Sequence, residues 1–171
     1  MTFLYPKREV CSCYFDTKNF NLFYQSEEGI LPRKKVRYRW YGNDNTINQE
    51  IKISSVEGRF KVSKKFRYNK KYLLNKHIFK DSQNGLLYPK IMITYKREYF
   101  IIENLRLTID TEIKYSNINT NFERVLVDSE NVIEIKTNLE NAENKIEKLL
   151  QLRQSRFSKY CRGILRLNSL L

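Results

Sequence analysis

The sequence predicts an α+β fold that is mainly antiparallel β, with the sheet curled into a barrel and a C-terminal helix packed outside it. Three observations predict this. Short segments along the chain alternate with period two, the spacing that sends successive side chains to opposite faces of a strand, and several carry one apolar and one charged face. Aromatics make up 13% of 171 residues, mostly Tyr and Phe, with only 5 Gly and 3 Pro, a composition of strand-rich folded protein and not of disorder. The clearest helical spacing of apolar residues comes late, after Asn138. The length suits one domain, 1–171, with a core of its own.

Taken in order, Val10 to Asp16 is rich in β-formers and ends in the turn composition Asp16-Thr17-Lys18-Asn19. Phe20 to Gln25 reads as a second short strand, making a hairpin. Glu27-Glu28-Gly29 turns the chain into the basic strand Arg33 to Tyr41. There Lys35, Arg37 and Arg39 share one face, and Val36, Tyr38 and Trp40 the other. Gly42 to Asn45 is the next turn. Asn48 to Ser54 then places Glu50 and Lys52 opposite Ile51 and Ile53. Glu57 to Asn84 is Lys-rich and reads as a connection with one short helix; its lone His77 has no metal-type neighbour and reads as structural. Ile91, Ile93 and Tyr95 share a face that ends in Arg97. Arg106, Thr108 and Asp110 oppose Leu105, Leu107 and Ile109, and Glu134 and Lys136 oppose Ile133 and Ile135. Asn138 is placed to cap a helix carrying Ile146, Leu149 and Leu150, which should pack outside the sheet.

A net charge of +13 calls for a polyanionic partner, although abundant Lys, Asn, Ile and Tyr also suit an AT-rich gene, which makes Arg the better witness. Cys11, Cys13 and Cys161 have no metal-type spacing and form no even disulfide set, as expected of reduced thiols in a cytoplasmic protein. No apolar run is long enough for a transmembrane helix, and the first ten residues lack a signal-peptide centre. A barrel would gather the charged faces round its axis, where several cations need a counter-charge. Spacing alone leaves two readings open: an anion-filled cavity, or a charged face exposed to nucleic acid. Tyr14, Phe15, Tyr38 and Trp40 read as core. Lys64-Lys65 and Lys70-Lys71 read as solvated surface, or as a secondary anion track.

Several stretches, in order, resemble the VTC domain, the polyphosphate polymerase branch of the CYTH-like or triphosphate tunnel metalloenzyme superfamily. They are Cys13-Tyr14-Phe15-Asp16-Thr17, Lys35 to Gly42, Glu50-Ile51-Lys52, Tyr95-Lys96-Arg97, Arg106 to Thr111, Ile133-Glu134-Ile135-Lys136 and Arg156-Phe157-Ser158-Lys159-Tyr160. The resemblance implies a triphosphate-tunnel-type β-barrel and transfer of the γ-phosphoryl of ATP or another NTP to polyphosphate, with Mn²⁺ or Mg²⁺. Hydrolysis of triphosphate or polyphosphate on the same scaffold, or a noncatalytic binding remnant, are the alternatives. No nucleic-acid partner is expected. By resemblance, Lys35, Arg37, Arg39, Lys52, Arg97, Arg106 and Lys136 grip phosphate, and Lys159, Ser158 and Arg156 stand at the tunnel mouth where transfer occurs. Glu134 is the implied metal ligand, joined by Glu50 and Asp110 unless these form ion pairs, Asp110 with Arg106 or Lys52. Lys136 is either a phosphate contact or the partner of Glu134. Family members begin with a further basic strand and a helical stretch, so the resemblance also leads one to expect an incomplete barrel.

Overall fold

In the computed structural model, which describes residues 2–67, 69–103, 105–118, 124–137, 146 and 154–168, strand β1 (Thr2–Asp16) lies at the centre of one antiparallel sheet. It pairs with β2 (Arg33–Tyr41) on one side and β6 (Gly85–Ile102) on the other. Beyond β2 come β3 (Thr46–Ser55) and β4 (Gly58–Arg67). Beyond β6 comes β7 (Leu105–Asn117), whose far side takes β8 (Val125–Val127) and β9 (Val132–Lys136) at separate registers; β5 (Phe79–Asp81) pairs with the start of β6. Among the described residues β4 has no partner on its outer side, so the curled sheet is open there and the barrel is incomplete. The helices are α1 (Asn21–Glu28), α2 (Lys70–Asn75) and α3 (Lys159–Asn168). None is long and apolar enough to cross a membrane.

The register sorts the sheet into two faces. Cys11, Cys13, Phe15, Val36, Tyr38, Trp40, Ile47 and Met92 form a buried cluster with Leu73 of α2 on the outer face. The inner face carries Arg8, Ser12, Tyr14, Arg37, Arg39, Glu50 and Arg97, because these residues are cross-strand partners or stand two apart along one strand. A bulge where β6 meets β7, with Glu112 at φ 51°, changes the parity of β7. Ile113 and Tyr115 on one side of that bulge, and Asp110, Thr108 and Arg106 on the other, therefore all look inward.

The chain departs from its local pattern in two places. Phe20 to Gln25 has strand composition, yet it lies mostly in α1. The first N–H groups of a helix lack intrahelical acceptors, and here Asp16 Oδ1 accepts from Leu22 (2.9 Å), Asp16 Oδ2 from Phe23 (2.9 Å) and Thr17 Oγ1 from Asn21 (3.0 Å). That capping, with burial of Leu22, Phe23 and Ser26 one helical turn apart, outweighs β propensity. The Lys-rich connection likewise contains β4 besides the expected short helix α2. Its alternation, Phe60 and Val62 against Arg59 and Lys61, is masked in the sequence because both faces are largely exposed.

The helix expected to begin at Asn138 lies outside the described residues, apart from Ile146. The C-terminal helix that is described, α3, sits on the inner face. Tyr160, Cys161, Ile164 and Leu167 join Val10, Tyr14, Ile91, Ile93, Tyr95 and Tyr115 in the second buried cluster. Tyr160 stacks on Tyr14 with ring centres 5.0 Å apart and donates to Asp16. The seat is tight: a Cβ on Gly163 would lie 2.6 Å from side-chain carbons of Ile91 and Tyr115. The helix thus fills one end of the concavity and leaves the other end open.

Candidate functional site

Above α3 the inner face turns from apolar to cationic. Arg37 is buried and salt-bridged to Glu50, Nε to Oε2 at 2.6 Å, while its Nη1 donates to the Tyr14 hydroxyl at 2.8 Å. Lys61 reaches Glu50 from β4 at 2.5 Å. Burial pushes the Glu50 carboxyl up, but Arg37, Arg39 and Lys61 outweigh it and hold the group at about 2. Burial likewise opposes ionisation of Tyr14, and the Arg37 and Arg39 charges overcome it, lowering the phenol to about 8.

Arg39 is different. It is only 7% exposed, and its direct partners are hydroxyls, Ser12 Oγ at 3.0 Å and Tyr95 OH at 2.9 Å. No carboxylate bonds it among the described residues. A buried cation with only neutral acceptors is costly, by several kcal/mol as an order of magnitude, unless an anion enters the site. Lys52 stands on the same face. Although the residue as a whole is exposed, desolvation and the Arg37 charge lower its pKa to about 8. The Glu134 charge on β9 acts on Lys52 in the opposite direction.

The third wall is an ion-pair network. Asp110 is fully buried; Arg97 donates to it at 2.5 and 2.7 Å, and Lys159 at the start of α3 lies 2.6 Å away. Burial disfavours the Asp110 anion, and Arg97 and Lys159 together reverse that and lower its pKa. Asp110 is therefore an ion-pair residue, but with Arg97 and Lys159 and not with Arg106 or Lys52. The reason is register, since Arg97 is its cross-strand partner and Arg106 lies four residues away on the same strand. Lys159 also rests over the Tyr95 ring, 4.9 Å from its centre.

The remaining sequence-predicted residues divide. Lys35 donates to Ser158 Oγ at 2.9 Å, and Ser158 accepts the Cys161 N–H at 3.3 Å, so Ser158 caps α3 at the floor of the site. Arg156 is directed to the Ser26 carbonyl on α1. Arg106 and Lys136 are exposed on neighbouring strands, and Lys136 lies 3.5 Å from Glu134. Glu50 and Asp110 are engaged by cations at short range, which leaves Glu134 as the looser carboxylate, 3.5 Å from Arg97 and with a side chain 41% exposed. Among the described residues no three His, Cys, Asp or Glu side chains gather as a metal site. Tyr14 is core, as expected, but on the Arg37 face and not the apolar one. His77 is half-buried and structural, its Nε2 2.7 Å from the Tyr38 hydroxyl. Sequence reasoning misses Lys61, which pairs with Glu50; the alternation of Arg59, Lys61, Ser63 and Lys65 was the signal available.

The sequence model of the VTC domain matches residues 5–168. This chain belongs to the VTC domain family. Solved structures similar to this VTC domain share its fold at low identity. A candidate adenylate cyclase from Bacillus halodurans is 15% identical with a TM-score of 0.61, over 89% of this chain and 79% of its own. A candidate adenylyl cyclase from Hippeastrum, with a dominant triphosphatase activity, is 15% identical with a TM-score of 0.54, over 94% and 84% of the two chains. PH1819 of Pyrococcus horikoshii OT3 is 17% identical with a TM-score of 0.56, over 96% and 89%. No curated protein matches by sequence.

Proposed function

We propose that this VTC domain holds the phosphate chain of a nucleoside triphosphate along its inner face and transfers the γ-phosphoryl to the end of polyphosphate. The observation that carries the reading is Arg39, buried and bonded only to hydroxyls, with Lys52 beside it; both lack a carboxylate partner among the described residues. A phosphate chain is the counter-charge this surface wants, and guanidinium forks suit its paired oxygens.

In this mechanism Arg37, Arg39 and Arg97 grip the non-bridging oxygens, Lys35 faces the chain from the floor beside Ser158, and Lys52, Arg106 and Lys136 line the approach. Lys159, poised between Asp110 and the open face, neutralises charge on the transferring group, and Ser158 and Arg156 position the start of α3. The attacking atom is a terminal oxygen of polyphosphate, already ionised, so no general base is required. The bond from γ-phosphorus to the β,γ-bridging oxygen breaks, and a nucleoside diphosphate leaves. The protein's task is in-line positioning and electrostatic stabilisation. Glu134, the carboxylate least engaged by cations, would be the protein group to hold Mg²⁺ or Mn²⁺, which when bound would supply charge neutralisation.

The open outer side of β4 favours a second reading, hydrolysis, because it admits water to the face. One experiment separates the two. Purified protein is incubated with ATP and Mn²⁺ or Mg²⁺, and polyphosphate and free phosphate are followed separately. Polymer formation lost in Lys159→Ala supports transfer, and free phosphate without polymer selects hydrolysis. Binding without turnover leaves a noncatalytic domain. If tripolyphosphate fails to raise the melting temperature, anion binding itself is refuted, because a ligand that binds only the folded state must stabilise it.

A further inference from the structure

At the end of the inner face away from α3, Arg8 lies among three tyrosines. Its guanidinium carbon is 5.5 Å from the ring centre of Tyr5, 6.0 Å from Tyr41 and 5.8 Å from Tyr99. Tyr5 and Tyr99 meet edge to face at 5.6 Å, and Tyr5 is 48% exposed. Arg8 itself is exposed and makes no hydrogen bond or ion pair among the described residues. It sits directly across the strand pair from Arg97. Like charges so placed repel, and Arg97 is neutralised by Asp110 while Arg8 has only aromatic faces beside it.

Tyr41 also packs against the buried cluster, whereas Arg8 and Tyr5 face solvent. One exposed ring, Tyr5, and two half-buried ones, Tyr41 and Tyr99, around a guanidinium are instead a platform for a flat, electron-rich ring, which can stack on tyrosine and on the guanidinium plane. Its place in the sheet matters. Arg8 is four residues from Ser12, the partner of Arg39, and six from Tyr14 under α3, about 14 and 20 Å along the strand. A ligand whose phosphates lie at Arg39 and Arg37 would therefore leave its other end at Arg8.

We infer that Arg8, Tyr5, Tyr41 and Tyr99 form a nucleobase subsite at the open mouth, stacking the base of a nucleoside triphosphate whose phosphates lie deeper. The inference rests on the phosphate-binding reading above and adds to it which end of the ligand faces out. It predicts that the mouth distinguishes a nucleotide from a bare phosphate chain.

The test is calorimetric titration of ATP and of inorganic tripolyphosphate into wild type, Tyr5→Ala and Tyr99→Leu, each checked for an intact melting transition. Loss of a stacking face should weaken ATP about tenfold and change tripolyphosphate by less than about twofold. Two variants at separate positions guard against one of them failing to fold. Equal weakening of both ligands would make Arg8 and its neighbours part of the phosphate site and overturn the inference. So would unchanged ATP affinity, or tripolyphosphate binding by a wild type that does not bind ATP. In each of those cases the phosphate reading survives. Failure of wild type to bind either ligand overturns both.

Discussion

Asp110→Asn isolates the balance of charge on the inner face. The side chain keeps its shape and loses its charge, and two cations then face one another without an anion between them. Arg97 and Lys159 each have side chains only 13% exposed, so water compensates them poorly. Removing one partner of a buried ion pair typically costs 3–5 kcal/mol. Glu134, 3.5 Å from Arg97 and 41% exposed, offers partial relief, which argues for the lower end, about 3 kcal/mol. For a chain of this size that corresponds to a fall in melting temperature of about 6–12 °C. The same change frees Arg97 and Lys159 for an incoming anion. Tripolyphosphate should therefore raise the melting temperature of the variant by more than it raises that of wild type. Melts followed by circular dichroism, with and without the anion, read both effects. A variant that melts with wild type shows that the network is not structural. A destabilised variant rescued no better than wild type shows that Arg97 and Lys159 do not meet the phosphate chain.

Acid should unfold the protein through its paired carboxylates. The Glu50 and Asp128 pKa values are each lowered to about 2, where burial is outweighed by Arg37 at Glu50 and by Arg162 at Asp128, and Asp110 is lowered as well. A depressed folded pKa contributes stability above the unfolded value, near 4, that disappears as pH falls through the folded one. Melting temperature should be level from about pH 7 to 5 and drop between about pH 4 and 2, less steeply in Glu50→Gln; an equal melting temperature at pH 6 and pH 3 would contradict this. At the other extreme, Lys52 and Tyr14 both titrate near 8, so between pH 7 and 9 the site loses a positive charge and gains a negative one. Tripolyphosphate affinity should weaken about tenfold over that range relative to Lys52→Met, a comparison in which the ionisation of the ligand cancels. Parallel pH profiles for the two proteins would remove Lys52 from the phosphate path.

Much of the sheet is legible in the chain because period-two alternation is a local property. Lys35, Arg37 and Arg39 against Val36, Tyr38 and Trp40 already define a two-faced strand, and the same holds at Glu50-Ile51-Lys52 and Ile133-Glu134-Ile135. Where both faces are exposed, as in β4, the alternation loses its contrast and the strand is missed. At Phe20 to Gln25 local propensity points the wrong way, since capping by Asp16 and packing against α3 are contacts that composition does not contain.

The sequence by itself determined which residues share a face within the regular two-faced strands, such as Lys35, Arg37 and Arg39, and hence that cations are gathered on one side of them. Only the tertiary structure decided which of those charges are already answered. Asp110 is tied to Lys159 across 49 positions of chain and Glu50 to Lys61 across 11, while Arg39 meets only hydroxyls. Likewise, only the packing of Gly163 against Ile91 and Tyr115 seats α3 on the inner face, closing one end and leaving Arg8 and its tyrosines at the other. Side-chain direction follows from backbone parity, which is written into neighbouring residues. Charge compensation depends on distances between remote strands, and those exist only once the sheet has curled.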